Sequence, residues 1–283
     1  MFTTCALLSQ EVKLGIKGGL NLSNFIDGDV TTPMSEGYSM RVASGASIFT
    51  ELQINKTFAF RFGVEYNGMG GTKNGMQALP TQRLITEMAY AFGMSITEEQ
   101  IMALGLLSMN MSPYYYANIE NIAKFDYVTI PILAQVGTNL GQSSWRVYLN
   151  AGPFVSLLLS GKQDTRGTSK LFADPSGTTT LWSLIPDEAK KMIALMQPEL
   201  YSVIENTISS ETSFGETNIT GELRSANFGI IGNVGLRFQH KSHCFFVEGG
   251  GNYGFQTVQE ESTNGNNKIY ATSIMFGYAF SLR

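Results

Sequence analysis

Residues 145–159 read WRVYLNAGPFVSLLL, and the side chains sort into two sets by alternation. Val147, Leu149, Ala151, Pro153, Val155, Leu157 and Leu159 fall on one face, while Arg146, Tyr148, Asn150, Gly152 and Ser156 fall on the other. A side-chain period of two marks a strand that separates two different environments. Residues 57–71, TFAFRFGVEYNGMGG, repeat the pattern: Phe58, Phe60, Phe62, Val64 and Tyr66 alternate with Ala59, Arg61, Gly63, Glu65 and Asn67. Charge keeps to the side of the small residues and stays off the aromatic face.

Six more segments obey the same rule, at 12–26, 38–54, 125–139, 222–238, 243–258 and 268–282. Each is longer than the ~9–11 residues with which a tilted strand crosses a bilayer. The connections at 27–37, 55–56, 73–124, 140–144, 161–221, 239–242 and 259–267 alternate longer and tight. Barrels of bacterial outer membranes keep their tight turns at the periplasmic end and their long loops outside. The spacing therefore predicts an all-β fold, an eight-stranded antiparallel up-and-down transmembrane barrel. A single barrel domain over 11–283 carries long extracellular loops at 73–124 and 161–221.

Which face looks outward separates a membrane barrel from a soluble one, because a soluble barrel hides its apolar face in the lumen. The polar face bears Lys13, Lys17, Arg41, Glu51, Arg61, Glu65, Arg146, Arg237 and Glu248, with few bulky neighbours (Phe49, Tyr148, Phe154 and Phe246). A barrel of about eight strands has an interior just wide enough for side chains to fill. Lys17, Arg41, Glu51, Arg61, Glu65, Arg146, Arg237 and Glu248 are accordingly expected to form a lumenal charge network that leaves no open channel. If the same charges faced water on a soluble barrel, the exterior would be unusually poor in charge.

Composition excludes some partners. The chain has 283 residues, 30 of them Gly, with 15% charged residues and a net charge of −4. A nucleic-acid partner has no electrostatic footprint in such a chain. No run of ~18 uncharged apolar residues is present, so no transmembrane helix is expected. Residues 1–10, ending in ALLSQ, read as the remnant of a secretory signal or, equally well, as a native N-terminus. Cys5 lies in that segment, which leaves Cys244 as a small barrel residue without a disulfide partner.

Four stretches resemble the PorT-like outer-membrane beta-barrel family common in Bacteroidetes: VKLGIKGGLNLS at 12–23, YVTIPIL at 127–133, YLNAGP at 148–153 and FGYAF at 276–280. The resemblance spans the eight strands and leaves out the two long loops. It implies an outer-membrane location and an eight-stranded barrel. Most members have no assigned function, and the founding member is implicated in protein secretion to the cell surface. Its motifs specify architecture rather than chemistry, so secretion transfers only by analogy of fold.

The two long loops depart from that pattern and carry helix signals of their own. Thr97, Glu98, Glu99 and Gln100 form a capping box ahead of Ile101, Met102, Leu104 and Leu106. Leu84, Ile85, Met88, Ala89 and Phe92 recur at helical spacing before it. In the later loop Pro186, Asp187 and Glu188 suit a first turn, and Ile185, Ala189, Met192, Ile193 and Met196 form a stripe. Pro198 opens a second helix through Leu200, Val203, Ile204 and Ile208. Apolar stripes must be covered. Either the loops pack together as a lid, or they present Met88, Phe92, Met102, Leu106, Tyr115, Met192, Met196 and Tyr201 to a partner, since Met adapts to irregular surfaces. The run Tyr114, Tyr115 and Tyr116 is read as an interface girdle or loop packing, with a binding anchor as the alternative.

Catalysis finds little support. Hydrolytic chemistry needs a base near a nucleophile or an activated water, and the two histidines, His240 and His243, fall at a tight turn of the periplasmic end. With Cys244 they lack the carboxylate cluster of a closed metal site, and the acidic pair Asp27 and Asp29 could meet calcium but is explained equally well by a turn. No phosphate-cradling glycine loop precedes a helix. The expectation is therefore a structural or interaction protein with no cofactor and no metal, in contact with outer-membrane lipid, docking an envelope protein through its loops. A soluble lipocalin-like ligand-binding barrel and a small lipid-modifying enzyme are the alternatives.

Overall fold

A computed structural model describes residues 11–27, 33–81, 84, 112–196, 198–262 and 265–282. At 189, 192, 193, 196, 200, 203, 204, 207 and 212 it describes the backbone alone. The strands are β1 (Glu11–Asp27), β2 (Ser39–Gln53), β3 (Phe58–Pro80), β4 (Tyr114–Asn139), β5 (Trp145–Arg166), β6 (Thr168–Ser169), β7 (Thr212–Ser213), β8 (Glu216–Asn218), β9 (Ala226–His240), β10 (His243–Thr257) and β11 (Asn267–Leu282). Two helices stand between β6 and β7, α1 (Asp187–Met196) and α2 (Pro198–Ile208). Eight long strands run β4-β3-β2-β1-β11-β10-β9-β5 and close through β4 against β5, every neighbouring pair antiparallel. Closure leaves no membrane-embedded edge unpaired, as hydrocarbon demands.

The two faces divide as alternation requires, and the apolar one looks outward. Ile48 is 63% exposed and Val234 56%, whereas Glu51 and Arg237 are 0% exposed inside the ring. Phe58, Phe60, Phe62, Val64 and Tyr66 all stand on the outer wall. A folded chain with aliphatic and aromatic side chains outside and arginine inside is stable only where lipid replaces water. The soluble lipocalin-like alternative is thereby overturned.

Three strands run much further than the sequence pattern suggests. β3 continues to Pro80, β4 begins at Tyr114 and β5 reaches Arg166, so the connections assigned to 73–124 and 161–221 begin later, and the first also ends earlier. β4 alone has 26 residues, more than twice the ~9–11 that cross a bilayer. The outer wall shows where lipid ends. Below that level it carries Ile130, Ile132, Val155 and Leu157; above it come Asp126, Lys124, Lys162, Asp164 and Arg166. Beyond this belt β3, β4 and β5 form a wall standing clear of the membrane.

The interior is layered along the barrel axis. Near the turn end lie the charges, with Phe49, Cys244, Phe246 and Ala279 packed among them. In the middle Asn21 donates to Asn67 at 3.1 Å, Asn67 donates to Thr129 at 3.2 Å, and Thr129 and Ser156 share a hydrogen bond of 2.7 Å. At the loop end an apolar plug fills the bore: Phe25, Met69, Phe125, Tyr127 and Ile269 from the strands, joined by Ile219 and Leu223 from the second long connection. Between the middle layer and the plug remains a cavity of about 10 Å³ lined by Met69, Tyr127, Thr129, Ser156 and Asn227. That is room for about one water molecule. Residues 1–10, and with them the reading as a signal remnant, lie outside the described residues.

Candidate functional site

Register decides which of the inward charges meet. Lys13 on β1 stands opposite Glu51 on β2, which in turn stands opposite Arg61 on β3, so one row across three strands reads cation, anion, cation. Glu51 is the hub of this row. Its two oxygens accept from the Arg237 guanidinium at 2.7 and 2.5 Å and from Arg61 at 3.0 Å, and Lys13 approaches to 3.8 Å. The paired contact with Arg237 is the fork geometry that makes arginine the preferred partner of a buried carboxylate.

Glu248 is the second hub. It accepts from Arg61, from the Tyr148 hydroxyl at 2.8 Å, from Asn150 at 3.1 Å and from Lys17 at 3.5 Å. Lys17 also reaches Glu65 at 2.7 Å, and Arg61 donates to Gln135 at 3.2 Å. The Arg61 guanidinium lies over Phe49 at 4.4 Å, and that of Arg237 over Tyr148 at 4.9 Å, so the few large rings of the lumen cover the cations. Gly235 makes room for this: a Cβ there would meet the Tyr148 ring at 2.2 Å.

Two residues assigned to the network stand apart from it. Arg146 pairs across the strands with Arg237, a like charge, and turns its guanidinium to the rim, where it donates to the Lys56 carbonyl at 2.6 Å and the Thr57 carbonyl at 3.3 Å. Arg41 lies at the loop end of β2 and donates to the Met69 carbonyl. Alternation gives the face of a residue and says nothing of its height, which is why parity alone groups both with the others. Lys13, which parity places on the polar face, joins the network, as do the uncharged Tyr148, Asn150 and Gln135, which charge alone does not single out. The row Lys13, Glu51 and Arg61 becomes readable only once the β1–β2 and β2–β3 registers are known.

Above the membrane the second long connection packs on the tall wall. Leu171, Leu181 and Ile208 bury themselves against Leu79, Leu84, Tyr115, Ala117 and Ile119. Tyr115 is 4% exposed within this cluster, so its place on a partner-facing surface is corrected. Nor is it a girdle residue, since the charged belt separates it from lipid. Tyr201 stacks edge-on against Trp182 with centroids 5.9 Å apart, and the Lys190 ammonium lies 4.9 Å from the centroid of the same indole. Met88, Phe92, Met102 and Leu106, with the capping box at 97–100, lie outside the described residues. Met192 and Met196 are described by backbone alone, within α1.

The charged belt is a feature that sequence reading missed. Lys124 meets Asp164 at 2.8 Å, Lys162 meets Glu216 on β8 at 2.8 Å, and Arg166 meets Asp164 at 2.8 Å. Hydrogen bonds from Lys124 and Arg166 hold the Asp164 carboxyl below its usual range. The alternation of charge in KQDTR at 162–166 was the available signal. At the opposite end of the barrel His243 exchanges a 2.7 Å hydrogen bond with the Tyr278 hydroxyl, in an exposed position on the rim.

A family model described as the outer membrane protein beta-barrel domain matches residues 8–260. No curated protein matches the chain. Similar solved structures include Neisserial surface protein A (10% identity, 96% of this chain and 97% of that one, TM-score 0.39). Others are the outer membrane protein OprG from Pseudomonas aeruginosa (8% identity, 97% of each chain, TM-score 0.38) and a major outer membrane protein from Thermus thermophilus (10% identity, 96% and 99%, TM-score 0.39). With the ring closed, its apolar face outermost and the family model spanning most of its length, the chain belongs to the outer membrane protein beta-barrel domain family and resides in the outer membrane.

Proposed function

We propose that this barrel is a non-conducting, non-enzymatic scaffold that holds an ordered body outside the cell for docking another envelope protein, as an accessory subunit of an envelope or secretion assembly. The observation that carries this reading is the continuation of β3, β4 and β5 past the charged belt, with the second long connection packed upon them. Strand pairing beyond the lipid contributes nothing to spanning it. Its effect is to hold α1, α2 and the segments around them on a stiff support, and a docking site on a rigid element is more exact than one on a loop. The filled lumen, with charges at one end and an apolar plug at the other, supports the view that nothing passes through. A PorT-like kinship within the family fits the same picture.

The lid is a second reading with an observation of its own. Ile219 and Leu223 belong to the second connection and sit in the mouth of the barrel, so that connection caps as well as projects. The two readings separate on deletion of residues 182–210, which removes both helices and leaves Ile219 and Leu223. The tagged protein is extracted from native membranes in mild detergent, with and without the deletion. Docking predicts a stoichiometric envelope protein that co-purifies with the full chain and is lost from the deletion form, while heat-shifted gel mobility shows both barrels folded. A barrel that purifies alone in both forms would leave the lid.

A further inference from the structure

The chain holds 2 histidines, and the turn between β9 and β10 brings them together. His240 ends β9, His243 begins β10, and the register makes them direct cross-strand partners on either side of Lys241 and Ser242. Partners of this kind have Cβ atoms about 4.5–5.5 Å apart and side chains on one face. Alternation says which face. Cys244 points inward to Phe49, Phe246 and Ala279, so the two imidazoles belong to the outer wall, where both residues are exposed. The adjoining row on the membrane side reads Trp145, Phe238, Phe245 and Tyr278, an aromatic girdle that marks the lipid interface. The histidines lie one row beyond it, within reach of water.

We propose that His240 and His243 form an open, exchangeable site for one divalent transition metal at the turn end of the barrel. Imidazole suits zinc, copper and nickel, whereas calcium and magnesium take oxygen ligands. The sequence spacing argues against a closed site, and register leaves that exclusion in place by putting Cys244 on the other face. Among the described residues no third His, Cys, Asp or Glu joins the pair, so the protein supplies two ligands and the other positions stay free for exchange. One ligand already has its outer-shell partner. His243 Nδ1 shares a 2.7 Å hydrogen bond with the Tyr278 hydroxyl, the use to which metal-binding histidines regularly put their second ring nitrogen. With Nδ1 as the donor, Nε2 carries the lone pair that a metal takes. The turn is also braced from both sides: the Gln239 N–H donates to the Ser144 carbonyl at 2.9 Å, and the Ser281 N–H to the Ser242 carbonyl at 2.9 Å. Two ligands on braced neighbouring strands give up little freedom when both bind, which separates this pair from histidines scattered over a surface.

Zinc chloride is titrated calorimetrically into the purified full chain in dodecyl maltoside, and electron paramagnetic resonance of the same protein loaded with Cu²⁺ reads the nitrogens bound to the metal. One zinc per barrel and two imidazole nitrogens on copper are the expected results. His240→Ala and His243→Ala should each weaken zinc binding by at least about tenfold and leave one nitrogen, a loss on the scale of 1.4 kcal/mol or more. Tyr278→Phe should weaken it by less and keep both nitrogens, as a positioning residue would, while Cys244→Ala should change neither reading. Heat-shifted gel mobility verifies that each variant is folded. Equal affinity in the natural chain and either histidine variant, no saturable zinc binding, or a single nitrogen on copper in the natural chain would overturn the proposal. Loss of zinc with Cys244→Ala would overturn it as well, by moving the metal into the lumen.

Discussion

Glu51→Gln is expected to destabilise the folded barrel by about 3–5 kcal/mol, the range found when one partner of a buried ion pair is removed. Glu51 is fully buried and faces three cations, with Arg237 at 2.5 and 2.7 Å, Arg61 at 3.0 Å and Lys13 at 3.8 Å. The amide keeps the shape and loses the charge. It also turns one acceptor into a donor that points at other donors. Arg61 retains Glu248, but among the described residues Arg237 has no other carboxylate. The cost therefore falls on a buried guanidinium stripped of its counter-charge. Urea titration in lipid vesicles, followed by heat-shifted gel mobility, reads the difference. Adding Arg237→Met to Glu51→Gln removes the stranded cation and should recover part of the loss, a coupling that a double-mutant cycle resolves. A shift of less than about 1 kcal/mol for Glu51→Gln would mean that water reaches this layer and screens it.

The second large effect is expected on the outer wall. Val234 is 56% exposed near the middle of β9, in a lateral row with Leu149 and Gly249. Arginine on the lipid face near the bilayer midplane costs about 2–4 kcal/mol, because hydrocarbon offers the guanidinium neither water nor a counter-ion. Val234→Arg should lower stability in vesicles by that amount, and Val234→Leu should leave it within the experimental scatter. On a water-exposed wall the same arginine would be nearly neutral. The pair of substitutions thus reads the solvent outside the barrel directly.

The membrane-embedded half of the molecule was legible in the sequence because two unlike solvents write themselves into alternation. Phe58, Phe60, Phe62 and Val64 could face only one of them, and Arg61 and Glu65 only the other. The segments outside the membrane were less legible. From Lys73 to Pro80 and from Tyr114 to Lys124 the outer face meets water and the inner face meets a small apolar core. The contrast between faces weakens, and glycine, asparagine and lysine look like loop residues there. Within the lumen, parity reveals the side of each charge and withholds its height. Arg41 and Arg146 point inward by parity, yet the register puts one at the loop end and the other at the turn rim. Tyr115 is misplaced for a related reason. A tyrosine run beside a strand suggests a girdle, loop packing or an anchor; Tyr115 packs with Leu171, Leu181 and Ile208 of the second long connection, which is the loop-packing reading, and only the extension of β4 shows that its ring faces the interior.

The proposed non-conducting barrel rests on a bore filled at one end by the Glu51 and Glu248 networks and at the other by Phe25, Phe125 and Tyr127. Conductance across a planar bilayer, with the purified full-length protein inserted from detergent in molar salt, examines that directly. Insertion without conductance steps, verified by recovery of the folded, heat-shifted band from the same bilayer lipid, is the expected result. Reproducible unitary steps from the natural chain would contradict a sealed barrel and return the lumen to consideration as a channel.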